Sequence, residues 1–106
     1  MFSFFENNSF ETINVHDLYE KIGKVDLIDV REVYEFDSGH VPTAKNIPMG
    51  VILSSPEKYL NKDKEYHIIC QSGARSLRTC SDLSEAGYKV INVAGGTGSY
   101  IKPLER

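Results

Sequence analysis

The stretch IICQSGARS, residues 68–76, carries a cysteine where an apolar run ends and a small, polar, glycine-containing loop begins. A strand end followed by a helix start leaves the backbone N–H groups of Gln71, Ser72, Gly73, Ala74 and Arg75 without strand partners. Several can turn toward the Cys70 sulfur and form a nest for negative charge. The N-terminus of the following helix adds positive potential. Both effects favour thiolate over thiol, and such settings bring a cysteine pKa from about 8.5 into roughly the 3.5–7.5 range. Gly73 permits tight curvature and close backbone approach. Ser72 can donate a hydroxyl hydrogen bond, and Arg75 can fix the loop or hold an anion with its planar fork. The chemistry this supports is nucleophilic attack by sulfur. The competing reading makes Cys70 a small core residue closing a strand. Cys80 falls on the apolar face of the next helix and reads as inert packing, with a resolving disulfide to Cys70 as the alternative. A second charged group, Asp29, Arg31 and Glu35 within LIDVREVYEF, leaves the end of another apolar run.

The elements that must deliver these residues follow from periodicity. SFETI (9–13) alternates as a strand does. Asn14 can cap a helix with Val15, Leu18, Tyr19 and Ile22 on one face, ended by Gly23. VDLIDV (25–30) is a short apolar run, as for a strand buried on both faces. REVYEFDSG fits a short helix stopped by Gly39, and AKNIP (44–48) a short strand. In SPEKYL, Ser55 can cap a helix with Pro56 at its first position. YHIIC (66–70) is the next strand. It precedes a helix over about 75–86 with Leu77, Cys80, Leu83 and Ala86 on one face, closed by Gly87. KVINV (89–93) is the last strand, and AGGTGSY follows as a turn with a short helix. Strands alternating with helices predict a three-layer α/β sandwich: a mostly parallel central sheet of about five strands with helices on both faces. Sites in such sheets form beyond the carboxyl ends of the strands. There 29–32, 70–75 and 94–98 are expected to meet at one rim.

The whole chain constrains the function. Its 106 residues suit a single domain, 1–106, and 41% hydrophobic with 25% charged residues argues against disorder. A net charge of −3 without a basic run gives no reason to expect nucleic acid or an anionic membrane as partner. The opening MFSFFENNSF lacks the basic end and apolar run of a secretory signal, and no stretch approaches a membrane span. The expected location is the cytoplasm. Two cysteines are too few for a disulfide framework. No His/Cys spacing suggests zinc, and His16, His40 and His67 read as cap, turn or surface residues.

Tyrosine-phosphatase-like enzymes place five residues between Cys and Arg; here four lie between Cys70 and Arg75, a smaller cradle suited to one appended sulfur atom. At this point the chain resembles a single-domain rhodanese, a sulfurtransferase. CQSGARS (70–76) is similar to the family's C-x-x-G-x-R-S loop. LIDVREVYEFDSGHVPTAKNIP (27–48) is similar to its D-V-R-x-x-x-E-[FY]-x-x-G-H-I-x-G-A-x-N-[IL]-P block, and VAGGTGSY to its closing V-x-G-G-x-x-x-W segment. Val41 and Thr43 replace the usual Ile and frequent Gly, and Tyr100 stands near the usual Trp. The resemblance implies that Cys70 attacks the outer sulfur of thiosulfate or a persulfide, becomes a persulfide, and passes that sulfur to cyanide, a thiol or a protein cysteine. Amides from Gln71 to Arg75 would stabilise the charge, and neither metal nor organic cofactor would be needed. In support, Arg31 is expected to pair with Glu35, and Asp29 to orient the loop through Arg75. The alternative for these three is exposed charge of little worth. Gly95 and Gly96 are expected to let backbone pass close to the site. A monomer is the default. The alternatives are a persulfide carrier or docking module, and a phosphatase or arsenate reductase.

Overall fold

The computed structural model describes residues 10–106. The aromatic opening segment, and Ser9 at the start of the expected first strand, lie outside the described residues. Five strands form one sheet: β1 (Glu11–Asn14), β2 (Asp26–Asp29), β3 (Lys45–Asn46), β4 (Glu65–Ile69) and β5 (Lys89–Ala94). Their order is β1-β5-β4-β2-β3, and every neighbouring pair is parallel.

Parallel strands are covered on both faces, so they need apolar residues in both phases. β4 meets this with Tyr66, His67, Ile68 and Ile69 all buried. On one face Ile28, Val30, Ile68 and Val90 pack against Ile52 of α2 (Met49–Ser54) and Cys80 and Leu83 of α3 (Ala74–Glu85). On the other, Leu27, Ile69 and Val93 pack against Val15 and Leu18 of a 3-10 segment, Val15–Lys21, and against Val41. Asn14 caps that segment: its Oδ1 accepts the His16 N–H at 2.9 Å, and the Asp17 carboxylate accepts the Asn14 N–H at 3.4 Å. Gly23 follows at φ +82°.

Some expectations need correction. The buried stripe of α3 is Ser76, Thr79, Cys80 and Leu83, while Leu77 is 50% exposed and Ala86 faces solvent. The helix docks by its first turn on the Cys70 sulfur, which turns residue 77 outward. The Ser55 side chain accepts no cap hydrogen bond, and only a 3-10 turn, Pro56–Lys58, follows it. α2 is absent from the sequence reading because Gly, Val and Ile are poor helix formers; burial of Ile52 holds it in place. His67 is neither cap, turn nor surface residue. It lies in mid-β4 at 3% exposure with Nδ1 unpartnered among the described residues, and burial pushes its pKa down.

The connections out of β2 and β4 run in opposite directions along the sheet, to β3 and to β5. The crevice at their carboxyl ends is the place where such folds build a site. α1 (Val33–Ser38) closes this rim. Among the described residues no helix is long and apolar enough to cross a membrane, and no three His, Cys, Asp or Glu side chains cluster as a metal site would require.

Candidate active site

Cys70 follows the last residue of the central strand, and only 1% of it is exposed. Gly73 then takes φ +113°, a left-handed conformation that residues with a Cβ adopt at a cost. This curls the backbone so that the Gly73 N–H donates to Cys70 Sγ at 3.1 Å. The first turn of α3 brings a second donor, the Ser76 N–H, to 3.2 Å. The Ser76 hydroxyl oxygen lies 3.4 Å from the same sulfur. Burial pushes the thiol up. The Ser76 hydroxyl and the amides of Ser76, Gly73 and Ser72 outweigh it, so Cys70 titrates below an ordinary thiol. Ser72 therefore acts through its amide; its hydroxyl makes no hydrogen bond among the described residues. Gln71, Ser72 and Ala74 are exposed along the loop.

The third expected stretch does reach this rim. The Thr97 N–H donates to the Cys70 carbonyl at 2.8 Å and the Gly98 N–H to the Gln71 carbonyl at 2.9 Å. That approach requires glycine at 96, where a Cβ would lie 2.6 Å from the Gln71 carbonyl oxygen, at φ +63°.

Asp29, Arg31 and Glu35 also come to the rim, but with different partners from those expected. Arg31 pairs with Asp29: its own N–H and Nε donate to Asp29 Oδ1, both at 3.0 Å, and its Nη2 to Oδ2 at 2.9 Å. Glu35 pairs with Arg75 through two bonds, 2.7 and 2.9 Å. Asp29 thus does not reach Arg75. The tight turn out of β2 folds Arg31 back on a carboxylate two residues away, while the first turn of α1 presents Glu35 across the cleft. Neither Asp29 nor Arg31 is a surface charge, at 0% and 3% exposure. Arg31 spends its remaining donors on the Gly39 carbonyl at 2.8 Å and the Gln71 side-chain oxygen at 3.1 Å. The Arg31 guanidinium is thus bound by Asp29, Gly39 and Gln71, and Arg75 gives one N–H from each Nη to Glu35. His40 Nδ1–H donates to the Phe36 carbonyl at 2.9 Å and its ring stacks on Phe36, so it holds the end of α1.

Three positions carry more of this geometry than their sequence signals suggest. Asn46 Nδ2 donates to the Asp29 and Arg31 carbonyls at 3.0 and 2.9 Å and fixes the turn out of β2. Ser76 supplies two groups to the sulfur, and Asn92, buried in β5, accepts the Ser76 hydroxyl at 2.7 Å. The first two sit inside motifs already quoted; Asn92 is visible only as a polar residue in an apolar strand. Together the groups form a buried sulfur met by two N–H donors with the Ser76 hydroxyl beside it, an arrangement suited to holding a thiolate.

The sequence model of the rhodanese-like domain family matches residues 14–102. The chain is 53% identical over 72 residues to "Putative sulfurtransferase YtwF" of Bacillus subtilis (strain 168), covering 66% of this chain and 67% of that protein. It is 37% identical over 73 residues to "Putative sulfur carrier protein YrkF" of the same organism, covering 68% of this chain but 39% of YrkF. Among solved structures, SSP1007 of Staphylococcus saprophyticus subsp. saprophyticus superposes with a TM-score of 0.83 at 35% identity, covering 92% of this chain and 100% of that one.

Proposed function

The chain belongs to the rhodanese-like domain family, and from that premise we propose that it is a sulfurtransferase working through a persulfide on Cys70. The observation that carries this is the convergence of the Gly73 and Ser76 N–H groups on Cys70 Sγ, at 3.1 and 3.2 Å. The thiolate attacks the outer sulfur of a persulfide or thiosulfate donor. A Cys70 S–S bond forms, the donor's own bond to that sulfur breaks, and its thiolate or sulfite leaves with the electron pair. An acceptor thiolate, protein cysteine or cyanide then attacks the outer sulfur, and Cys70 returns as thiolate. The amides at Gly73 and Ser76, with the Ser76 hydroxyl, hold the charge while it rests on Cys70 Sγ, before attack and after the sulfur has been passed on. Asp29, Arg31 and Glu35 keep Gln71 and Arg75, and so the loop, in place. No step calls for a metal or organic cofactor. Two thiols kept free suit a reducing compartment, and the proposal places the protein in the cytoplasm, as a single domain and a monomer.

Arg75 is paired with Glu35 and Arg31 with Asp29, so each guanidinium charge is already balanced by a carboxylate. This favours a persulfide donor over thiosulfate and counts against phosphoester hydrolysis. Carriage of sulfur without turnover is the second reading, favoured by the likeness to YrkF. Intact mass after treatment with thiosulfate, and separately with glutathione persulfide, tests the proposal. One added sulfur atom on the wild type and none on Cys70→Ser is expected. No addition from either donor, or equal addition to Cys70→Ser, sinks it. Thiocyanate release on adding cyanide then separates an enzyme from a carrier.

A further inference from the structure

The hydrogen bonds around Cys70 do not end at Ser76. Cys70 Sγ lies 3.4 Å from Ser76 Oγ, and Ser76 Oγ lies 2.7 Å from Asn92 Oδ1. Ser76 is 0% exposed and Asn92 3%, so solvent does not replace these bonds. Ser76 has one hydroxyl proton and three acceptors around it: the sulfur, Asn92 Oδ1 and the Gly73 carbonyl at 3.1 Å. Where that proton points depends on Asn92.

We propose that Asn92 is a positioning residue for the Cys70 thiolate, acting through Ser76 by turning its amide over when the thiol ionises. This rests on Cys70 being the nucleophile. In the thiol form the Cys70 S–H donates to Ser76 Oγ, whose O–H donates to Asn92 Oδ1. When the thiol loses its proton to solvent, the Ser76 O–H swings to the sulfur. Ser76 Oγ would then face Asn92 Oδ1, acceptor against acceptor. Turning the amide presents Nδ2–H to Ser76 Oγ instead, and the chain of donors runs unbroken toward the charge. Only rotations occur inside the protein; Ser76 and Asn92 keep their protons. Among the described residues, the Asn92 side chain is held by its bond to Ser76. A bond that ends on a charged group is stronger than a neutral one, and polarising its donor strengthens it further.

Other groups act on this sulfur as well. Arg75 and Cys80, both on α3, interact with it electrostatically; Arg75 is tied to Glu35 of α1, and Asp29 with Arg31 lies beyond, at the end of β2. A test must therefore isolate the route through Ser76. The pH dependence of Cys70 alkylation by iodoacetamide does so when Asn92→Leu, Asn92→Asp, Ser76→Ala and the two double variants are compared. Asn92→Leu removes the donor and excludes water. At a pH below the wild-type midpoint, alkylation should slow roughly threefold to tenfold, the worth of one hydrogen bond, and the midpoint should rise. Asn92→Asp offers only acceptors, holds the Ser76 O–H away from the sulfur and should raise the midpoint further. In the Ser76→Ala background the Asn92→Leu effect should vanish, and the Asn92→Asp effect should shrink to its bare charge contribution. Unchanged midpoints, or equal shifts with and without Ser76, overturn the proposal. The Asp comparison decides it if Asn92→Leu does not fold. Alkylation reads the thiolate alone, so sulfur uptake by the wild type independently reports whether the sulfurtransferase reading holds.

Discussion

Replacing Asp29 with Asn should destabilise the protein by about 3–5 kcal/mol without changing its shape. The carboxylate is fully buried and Arg31 is almost so. One carboxylate oxygen takes the Arg31 N–H and Nε, and the other takes Nη2 at 2.9 Å. Asparagine preserves the volume and one acceptor oxygen. Its NH2 group then faces Nη2, donor against donor, and the guanidinium stays buried without a counter-charge. The retained amide oxygen, the Gly39 carbonyl and the Gln71 side chain would still accept from it, and none of them carries charge. An exposed ion pair is worth only about 0–1 kcal/mol, so the two cases are well separated. Against a total stability on the order of 5–15 kcal/mol, the loss should lower Tm by on the order of 12 °C or more. Urea unfolding followed by circular dichroism, on wild type, Asp29→Asn, Arg31→Met and the double variant, measures it. If the stranded guanidinium is the source, removing it as well should recover part of the loss. The double variant should then be more stable than the sum of the singles by at least about 1 kcal/mol. A cost for Asp29→Asn below about 1 kcal/mol, or additive singles, would refute the reasoning.

Hydrogen bonds from Arg75 hold Glu35 down at about 2, below its unfolded value near 4.3. Its stabilising contribution is therefore present above that unfolded value and lost as pH falls toward 2. The urea midpoint should drop across this window, and Glu35→Gln should flatten it by up to about 1 kcal/mol, since the pair is partly exposed. Thr43 sits at φ +72°, the one described non-glycine residue with positive φ. Thr43→Gly should raise stability by roughly 0.5–1 kcal/mol, strain relief exceeding the added chain entropy; a lower urea midpoint would contradict this. Burial pushes the Cys80 thiol up to about 12. Iodoacetamide at mildly alkaline pH should modify the native protein once, at Cys70, and twice after unfolding. Native modification of Cys80, or a Cys70–Cys80 disulfide on mild oxidation, would count against its role as packing.

The inner strands β2, β4 and β5 were legible because each is short, mostly apolar and bounded by a glycine, a cap or a turn, and β1 because it alternates. The rim was legible because parallel strands deliver their ends to one edge, so 29–32, 70–75 and 94–98 had to converge. Partners across the rim were not legible. Whether Arg31 reaches Glu35 or folds back on Asp29 depends on turn angles that sequence spacing leaves open. The charges were correctly grouped and wrongly paired. The face of α3 was misjudged for a related reason. Hydrophobic periodicity puts Leu77 inward, but docking Ser76 on a sulfur outweighs one leucine's burial, and polar contacts leave no mark in an apolar pattern. Asn92 escaped notice because a single polar residue inside KVINV does not disturb the strand signal. Thr43 did carry a signal: it stands where relatives of this sequence pattern use glycine, and the structure puts it at a backbone angle glycine prefers.

The two ion pairs define what the loop itself must do. Each arginine is spent on a neighbour, Arg31 on Asp29, Gly39 and Gln71, and Arg75 on Glu35. They act as latches on the two sides of residues 71–75 and supply little charge to a ligand. The positive end facing a bound anion is then made of amide dipoles and one hydroxyl. Such dipoles are fixed by the backbone and need no reorganisation when charge appears. They are also few and aimed at one point, the sulfur of Cys70. A tetrahedral dianion would need donors spread around several oxygens and a free guanidinium fork, whereas a singly charged sulfur needs donors at one atom. On the proposed sulfurtransferase reading, the four-residue gap between Cys70 and Arg75 matters for this reason: it suits an amide cradle aimed at one sulfur, with Arg75 paired to Glu35.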